Sequence, residues 1–226
     1  MQTICREDQL VLDQLPAVMV PPTSVLPRLD KNGQRLLLAQ DGTYLEVRRD
    51  WLYAVRRCAT FREGLQVPYG RILETIELAG RTVPRDLIEA FIAEARFVSP
   101  LEIGGIVTYD TASGEWALRM SRSVSATAAA LSYEIAPLGR AERRVVDIHS
   151  HGESAAFVSE KDRKDTAGAT AVVIVVGQLD RDTPDVKAYL YLHGMSMPLP
   201  WNHIEETSVY RDEDGNGRIE VALDQP

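Results

Sequence analysis

Two histidines two residues apart, His149 and His151, close the apolar run Val145-Val146-Asp147-Ile148. In a strand, residues i and i+2 project from one face, so both imidazoles can converge on one point. Seven residues separate His151 from Ser159, and Asp162 follows three later. A loop of that length can turn and return a carboxylate to the strand end. Two neutral imidazoles and one carboxylate form a three-ligand set suited to zinc, with a fourth position left for water. Such an open set is that of a hydrolytic metal rather than a structural one.

Each residue also has a plainer reading. His-x-His alone is common, and strand-end histidines often serve only as hydrogen-bonding groups. Ser159-x-x-Asp162 is close to a helix capping box, with Ser159 as N-cap and Asp162 at the third helical position. The capping and ligand readings are compatible, because a helix N-terminus favours an ionised carboxylate.

The pattern His149-x-His151, seven residues, Ser159-x-x-Asp162 resembles the signature of the JAMM (MPN+, prokaryotic JAB-type) metallopeptidases, zinc isopeptidases that act on ubiquitin-like tails. Ser99-Pro100-Leu101-Glu102-Ile103-Gly104-Gly105-Ile106-Val107 is similar to the family's earlier glutamate-bearing segment. The resemblance covers roughly residues 80 to 223 and implies roles: Zn2+ held by His149, His151 and Asp162, Glu102 as proton carrier, and Ser159 as donor to an oxyanion. It implies an α+β fold, a mixed β-sheet flanked by helices as in JAMM and cytidine-deaminase-like domains, with a β-rich N-terminal extension. The implied substrate is the C-terminal tail of a ubiquitin-like or sulfur-carrier protein; the alternative is an inactive MPN-type scaffold that only binds such a partner. An N-terminal extension joined to a prokaryotic-style domain is also similar to the PRTRC cassette, which implies a ThiF/E1-like protein as a further partner. Gly152 stands where the family usually has proline, and glycine loosens the backbone at that point. Other zinc hydrolases fit less well. A deaminase needs Pro-Cys-x-x-Cys, and a His-x-His amidohydrolase barrel carries its motif early in a longer chain.

Composition sets the frame for these residues. At 226 residues and 45% hydrophobic the chain can bury a sizeable core, and 26% charged residues fit a soluble globular protein. A net charge of -8 argues against a nucleic-acid backbone as partner. Cys5 and Cys58 have no metal-ligand spacing, and two cysteines point to a reducing compartment. Neither a signal peptide nor a membrane-length apolar run is evident, so a cytoplasmic location without membrane association is expected.

The positioning elements read as two regions, an accessory region over 1–78 and the motif-bearing domain over 79–226. Prolines 16, 21, 22 and 27 predict an extended arm over residues 1 to about 28. A hairpin is predicted over 34–47 about Gln40-Asp41-Gly42-Thr43, a strand over 51–57, and a strand pair or long strand over 67–78. Tyr44, Trp51, Tyr53, Phe61 and Tyr69 read as core. Pro84 opens a helix to about Arg96, with Leu87, Ile88, Phe91, Ile92 and Ala95 on its apolar face. Strands are predicted at 103–109, 116–120, 131–135, 143–149, 171–176 and 189–192, with a polar helix starting near Ser159. Asp212, Asp214, Asn216 and Gly217 imitate the start of an EF-hand loop, but Leu223 occupies the position of the required glutamate. A hairpin over 209–223 is the better reading. His193 and His203 read as structural or surface residues.

Overall fold

The computed structural model describes residues 6–65, 67–79, 82–126, 131–134, 136–166, 168–199, 209–211 and 217–219. The chain divides into two compact units, Met1–Leu78 with Ser208–Pro226, and Ala79–Thr207.

The first unit begins with helix α1 (Arg6–Gln14), where the proline count led us to expect an extended arm. The prolines start only at Pro16, and the helix stops just ahead of it, as the steric demand of a proline on its predecessor requires. Beyond Pro16 the chain is extended and forms β1 (Ala17–Met19), parallel to β2 (Gly33–Leu38). The predicted hairpin is β2 with β3 (Gly42–Arg49), and β4 (Leu52–Thr60) is the next strand. Of 67–78 only β5 (Thr75–Leu78) pairs as a strand. Before it, Gly70 is bound on both sides instead, its N–H to Val20 O at 2.8 Å and its carbonyl to Gln40 N at 2.9 Å. Tyr44, Trp51 and Tyr53 are buried, and Tyr44 and Tyr53 share one core cluster with Val20, Leu37, Ala39 and Val55. Within this unit Glu46 is 1% exposed and takes three donors: Leu29 N at 2.9 Å, the Tyr53 hydroxyl at 2.9 Å, and the Arg35 guanidinium.

The second unit is built on helix α2 (Arg85–Val98) and a six-stranded sheet. Pro84 is the N-cap of α2, and Ile88, Phe91 and Ala95 are its buried stripe. The sheet runs β13 (Met195–Leu199), β12 (Asp185–Leu192), β11 (Thr170–Gly177), β10 (Glu142–Ser150), β6 (Gly104–Asp110), β7 (Trp116–Met120). β10 and β11 are parallel and the other pairs antiparallel. β11 is buried along nearly its whole length, as its unbroken apolar text Ala171–Val176 requires of an interior strand. A separate two-stranded sheet joins β8 (Arg122–Ala126) to β9 (Leu131–Glu134).

The balance is more β than the expected α+β class. Among the described residues of this unit the only helices are α2 and the six-residue α3 (Glu160–Asp165). The chain between β7 and β10 contributes strands, so the mixed sheet has little helix to flank it. At the C-terminal end, β14 (Val209–Arg211) and β15 (Gly217–Ile219) pair antiparallel as the predicted hairpin, and β15 adds to β5 of the first unit. The turn residues 212–216 lie outside the described residues, as does His203. Among the described residues no helix is long and apolar enough to cross a membrane.

Candidate metal centre

β10 delivers the histidines. Its apolar positions Val146 and Ile148 are fully buried, and the alternation sends His149 and then His151 to the opposite face. The two rings lie 5.1 Å apart between centroids. Across the ladder His149 is paired with Gly104 of β6 on one side and Val175 of β11 on the other, so no side chain crowds it from β6.

Asp162 arrives by the capping box foreseen from Ser159-x-x-Asp162. Ser159 caps α3, its Oγ accepting from Asp162 N at 3.2 Å, while Asp162 Oδ2 accepts from Ser159 N at 2.8 Å and Ser159 Oγ at 2.6 Å. The same Oδ2 lies 3.6 Å from His149 Nε2. That separation is too long for a hydrogen bond. One ligand atom each from His149, His151 and Asp162 falls within 4.8 Å of the others.

Glu102 enters from the turn before β6. Ser150, between the histidines but facing the other way, ties that segment down: Ile103 N donates to Ser150 Oγ at 3.0 Å and Ser150 N to Ile103 O at 2.9 Å. Glu102 is 9% exposed. Burial pushes its carboxyl above the usual range, against the charge of His149 and with that of Asp162. Burial acts on Asp162 in the same direction, but the His149 imidazole and the Ser159 donors outweigh it and hold the carboxyl well below its usual range. His151 is pushed below its ordinary value by burial first and by His149 second, which favours the neutral imidazole that a metal requires.

Two further observations bear on whether a metal fits. The donor set is two imidazoles and an ionised carboxylate, the borderline N/O chemistry of zinc. His149 Nε2 is buried and makes no hydrogen bond among the described residues, although it points toward the Asp162 carboxylate. A buried ring nitrogen without a partner is uncommon, and a ligating role would satisfy it.

Sequence reasoning missed the supports of the site. Ser150 carried no signal, and neither did Phe157, whose ring meets His151 edge-on at 4.6 Å while remaining 52% exposed. The expected looseness at Gly152 is corrected. The residue has φ +56°, its carbonyl accepts from Leu179 N at 3.0 Å, and an added Cβ would stand 2.7 Å from Pro100 O. Glycine is there because the chain turns left-handed against another backbone, not because the loop is slack. His193 stands apart from the cluster, its ring 3.5 Å from Thr170 Oγ1.

Two family models match parts of the chain. Residues 6–79 match the model of a domain of unknown function, DUF2016. A search of curated proteins gives no match. The solution structure of protein DSY2949 from Desulfitobacterium hafniense is 14% identical, with a TM-score of 0.33, over 51% of this chain and 86% of that one. That likeness is too slight to inform the fold. Residues 84–191 match the model of prokaryotic homologs of the JAB domain, a span that includes Glu102, His149, His151, Ser159 and Asp162 and supports the JAB family for this part of the chain.

Proposed function

We propose that the protein is a zinc-dependent peptidase or isopeptidase that cleaves at the C-terminal tail of a ubiquitin-like or sulfur-carrier protein. The observation that carries the reading is the convergence of His149, His151 and Asp162 within 4.8 Å around a buried Nε2 that makes no hydrogen bond among the described residues. These three residues would hold the ion. When bound, zinc supplies Lewis acidity toward water and toward a carbonyl oxygen. Glu102 takes the proton of the attacking water and returns it to the leaving amine; burial raises its pKa, which makes it a stronger base for the first transfer. The Ser159 hydroxyl, which rests on Asp162, turns to donate to the developing oxyanion while the Ser159 N–H keeps its hold on the carboxylate. A ThiF/E1-like protein is the further partner this reading proposes, and the net charge of -8 speaks against nucleic acid.

The test combines metal analysis with cleavage of a fusion in which a ubiquitin-like tail links two reporter domains. Wild type is expected to bind zinc and cut the fusion. Glu102→Gln is expected to keep the metal and lose cleavage, the loss being on the order of a hundredfold or more. Loss of zinc in that variant would make Glu102 a ligand and overturn the assignment. A zinc-loaded wild type that captures the tail without cutting it would be the binding scaffold instead.

A further inference from the structure

The first unit keeps large apolar side chains in water beside two cavities, one of 550 Å³ and one of 320 Å³. Both share the wall Arg71-Ile72-Leu73. Their floors are core: Tyr44 lines the larger, and Val20, Tyr53 and Val55 the smaller, all members of one buried cluster. Their rims are not. Val25 is 91% exposed, Leu73 70% and Leu65 54%.

Slack backbone does not explain that exposure. Leu73 stands between Ile72, which packs against the core cluster, and Glu74, whose Oε2 accepts from Arg56 Nη1 at 2.8 Å. Val25 precedes Leu26, which is packed against the same cluster. Anchored neighbours thus hold both side chains out in water. Apolar surface of this kind, rimmed by polar groups, is the mark of an interaction site.

Two observations describe the occupant. β4 runs to Thr60, but β5 pairs only with Leu52–Val55. From Arg57 to Thr60 the strand is exposed and, among the described residues, pairs with β3 alone. Arg57 and Thr60 also line the larger cavity. An open strand edge beside apolar pockets is where an extended peptide adds as a further strand, with alternate side chains in the pockets.

Charge is the second observation. The cavity linings hold Arg28, Arg57, Arg62 and Arg71 against Asp41 and Glu63, on a chain of net charge -8. Arg28 pairs with Glu77 and Arg57 with Asp41, each at 2.9 Å. Arg71 Nε donates to the neutral Gln40 at 3.0 Å, and among the described residues neither Arg71 nor Arg62 has a carboxylate partner. Two uncommitted cations therefore face the single carboxylate of Glu63.

We propose that this face of the first unit is a docking groove for an extended peptide segment of a partner protein, its apolar side chains alternating with acidic ones. Apolar burial supplies the affinity, and the arginines select acidic over basic sequence. Zinc plays no part in this recognition, so the hydrolase reading can fail without touching it.

The full-length protein and its Leu73→Glu variant are each used to select short random peptides from a display library. The recovered peptides are then measured by fluorescence anisotropy at low and physiological salt. Wild type is expected to enrich sequences in which apolar residues are interspersed with aspartate and glutamate. Leu73→Glu, a change at an exposed position, is expected to weaken them about tenfold or more. Arg62→Ala combined with Arg71→Ala is expected to weaken them about threefold at low salt and to flatten the salt dependence. If Leu73→Glu does not fold, Val25→Glu is read in the same way. Enrichment of basic or purely apolar peptides, equal binding by the glutamate variant, or no enrichment at all would overturn the proposal. So would a wild type that sediments as a dimer and a Leu73→Glu variant that sediments as a monomer, because the groove would then belong to a second copy of the chain.

Discussion

Restoring the family's proline at Gly152 should damage this protein rather than improve it, and the alanine variant gives the cost in parts. At φ +56° an L-residue is disfavoured by roughly 1–2 kcal/mol. The new Cβ would lie 2.7 Å from Pro100 O and 3.3 Å from Pro100 C. These are backbone atoms, so relief requires moving the turn that leads into Glu102, an overpacking cost of about 1–3 kcal/mol. Gly152→Ala is thus expected to lose roughly 2–5 kcal/mol. Proline costs more, since its ring fixes φ near −65° and the loop cannot keep its left-handed turn at all. Urea unfolding followed by tryptophan fluorescence measures the loss, with each kcal/mol lowering the thermal midpoint by roughly 3–5 °C. Should Gly152→Pro unfold within about 0.5 kcal/mol of wild type, inside the ordinary range for surface changes, the left-handed turn and its contact with Pro100 would both be refuted.

Three other perturbations test the surroundings. Gly177→Ala would bring a Cβ to 2.3 Å from Ser154 O and 2.5 Å from Ala156 N, so it should displace the loop, weaken zinc uptake by tenfold or so, and show both by titration and loop amide exchange. Glu46→Ala takes the buried acceptor from the Tyr53 hydroxyl and the carboxylate partner from the Arg35 guanidinium, and should cost about 3–5 kcal/mol by denaturant unfolding, with no effect on zinc binding. Glu102 has a folded pKa above its unfolded one, so its protonated form favours the fold; that contribution is complete below the unfolded value and lost as pH rises through the folded value. Metal-free Glu102→Gln should therefore be at least as heat-stable as wild type at neutral pH, with the difference closing near pH 4; a variant less stable at neutral pH would contradict the sign.

The parts of the site that lie close in sequence were the ones open to reading. The two-residue period of a strand puts His149 and His151 on one face, and the capping box fixes where α3 starts and which way Asp162 points. Both rules are local, so one sequence is enough to apply them. The same holds for α2, whose apolar stripe and leading Pro84 are both short-range signals. What could not be read was long-range or weakly patterned. Asp185 reaches Ala156 across the sheet, and no spacing rule connects a strand's first residue to a loop 29 positions earlier. The short strands β8 and β13 lie in small-residue and Met/Pro text that carries little alternation. α1 was hidden because the nearby prolines outweighed a nine-residue segment that contains none.

The capping role of Asp162 bears on whether the site is kept for folding or for a ligand. As a cap it is complete: Oδ2 already holds the Ser159 N–H and hydroxyl, and α3 begins where it should. Stability alone would then favour closing the last gap, moving His149 Nε2 in to a charge-assisted bond of about 2.7–2.9 Å. The atoms instead stand 3.6 Å apart, with Nε2 buried and without a hydrogen bond among the described residues, a condition that costs about 1–3 kcal/mol. A cation shared by both atoms would recover that cost. The spacing that is poor for a hydrogen bond is compatible with two groups bonded to one ion, each about 2.0–2.2 Å from it. The strained economy of His149 is therefore the feature that ties the fold of this domain to the chemistry proposed for it.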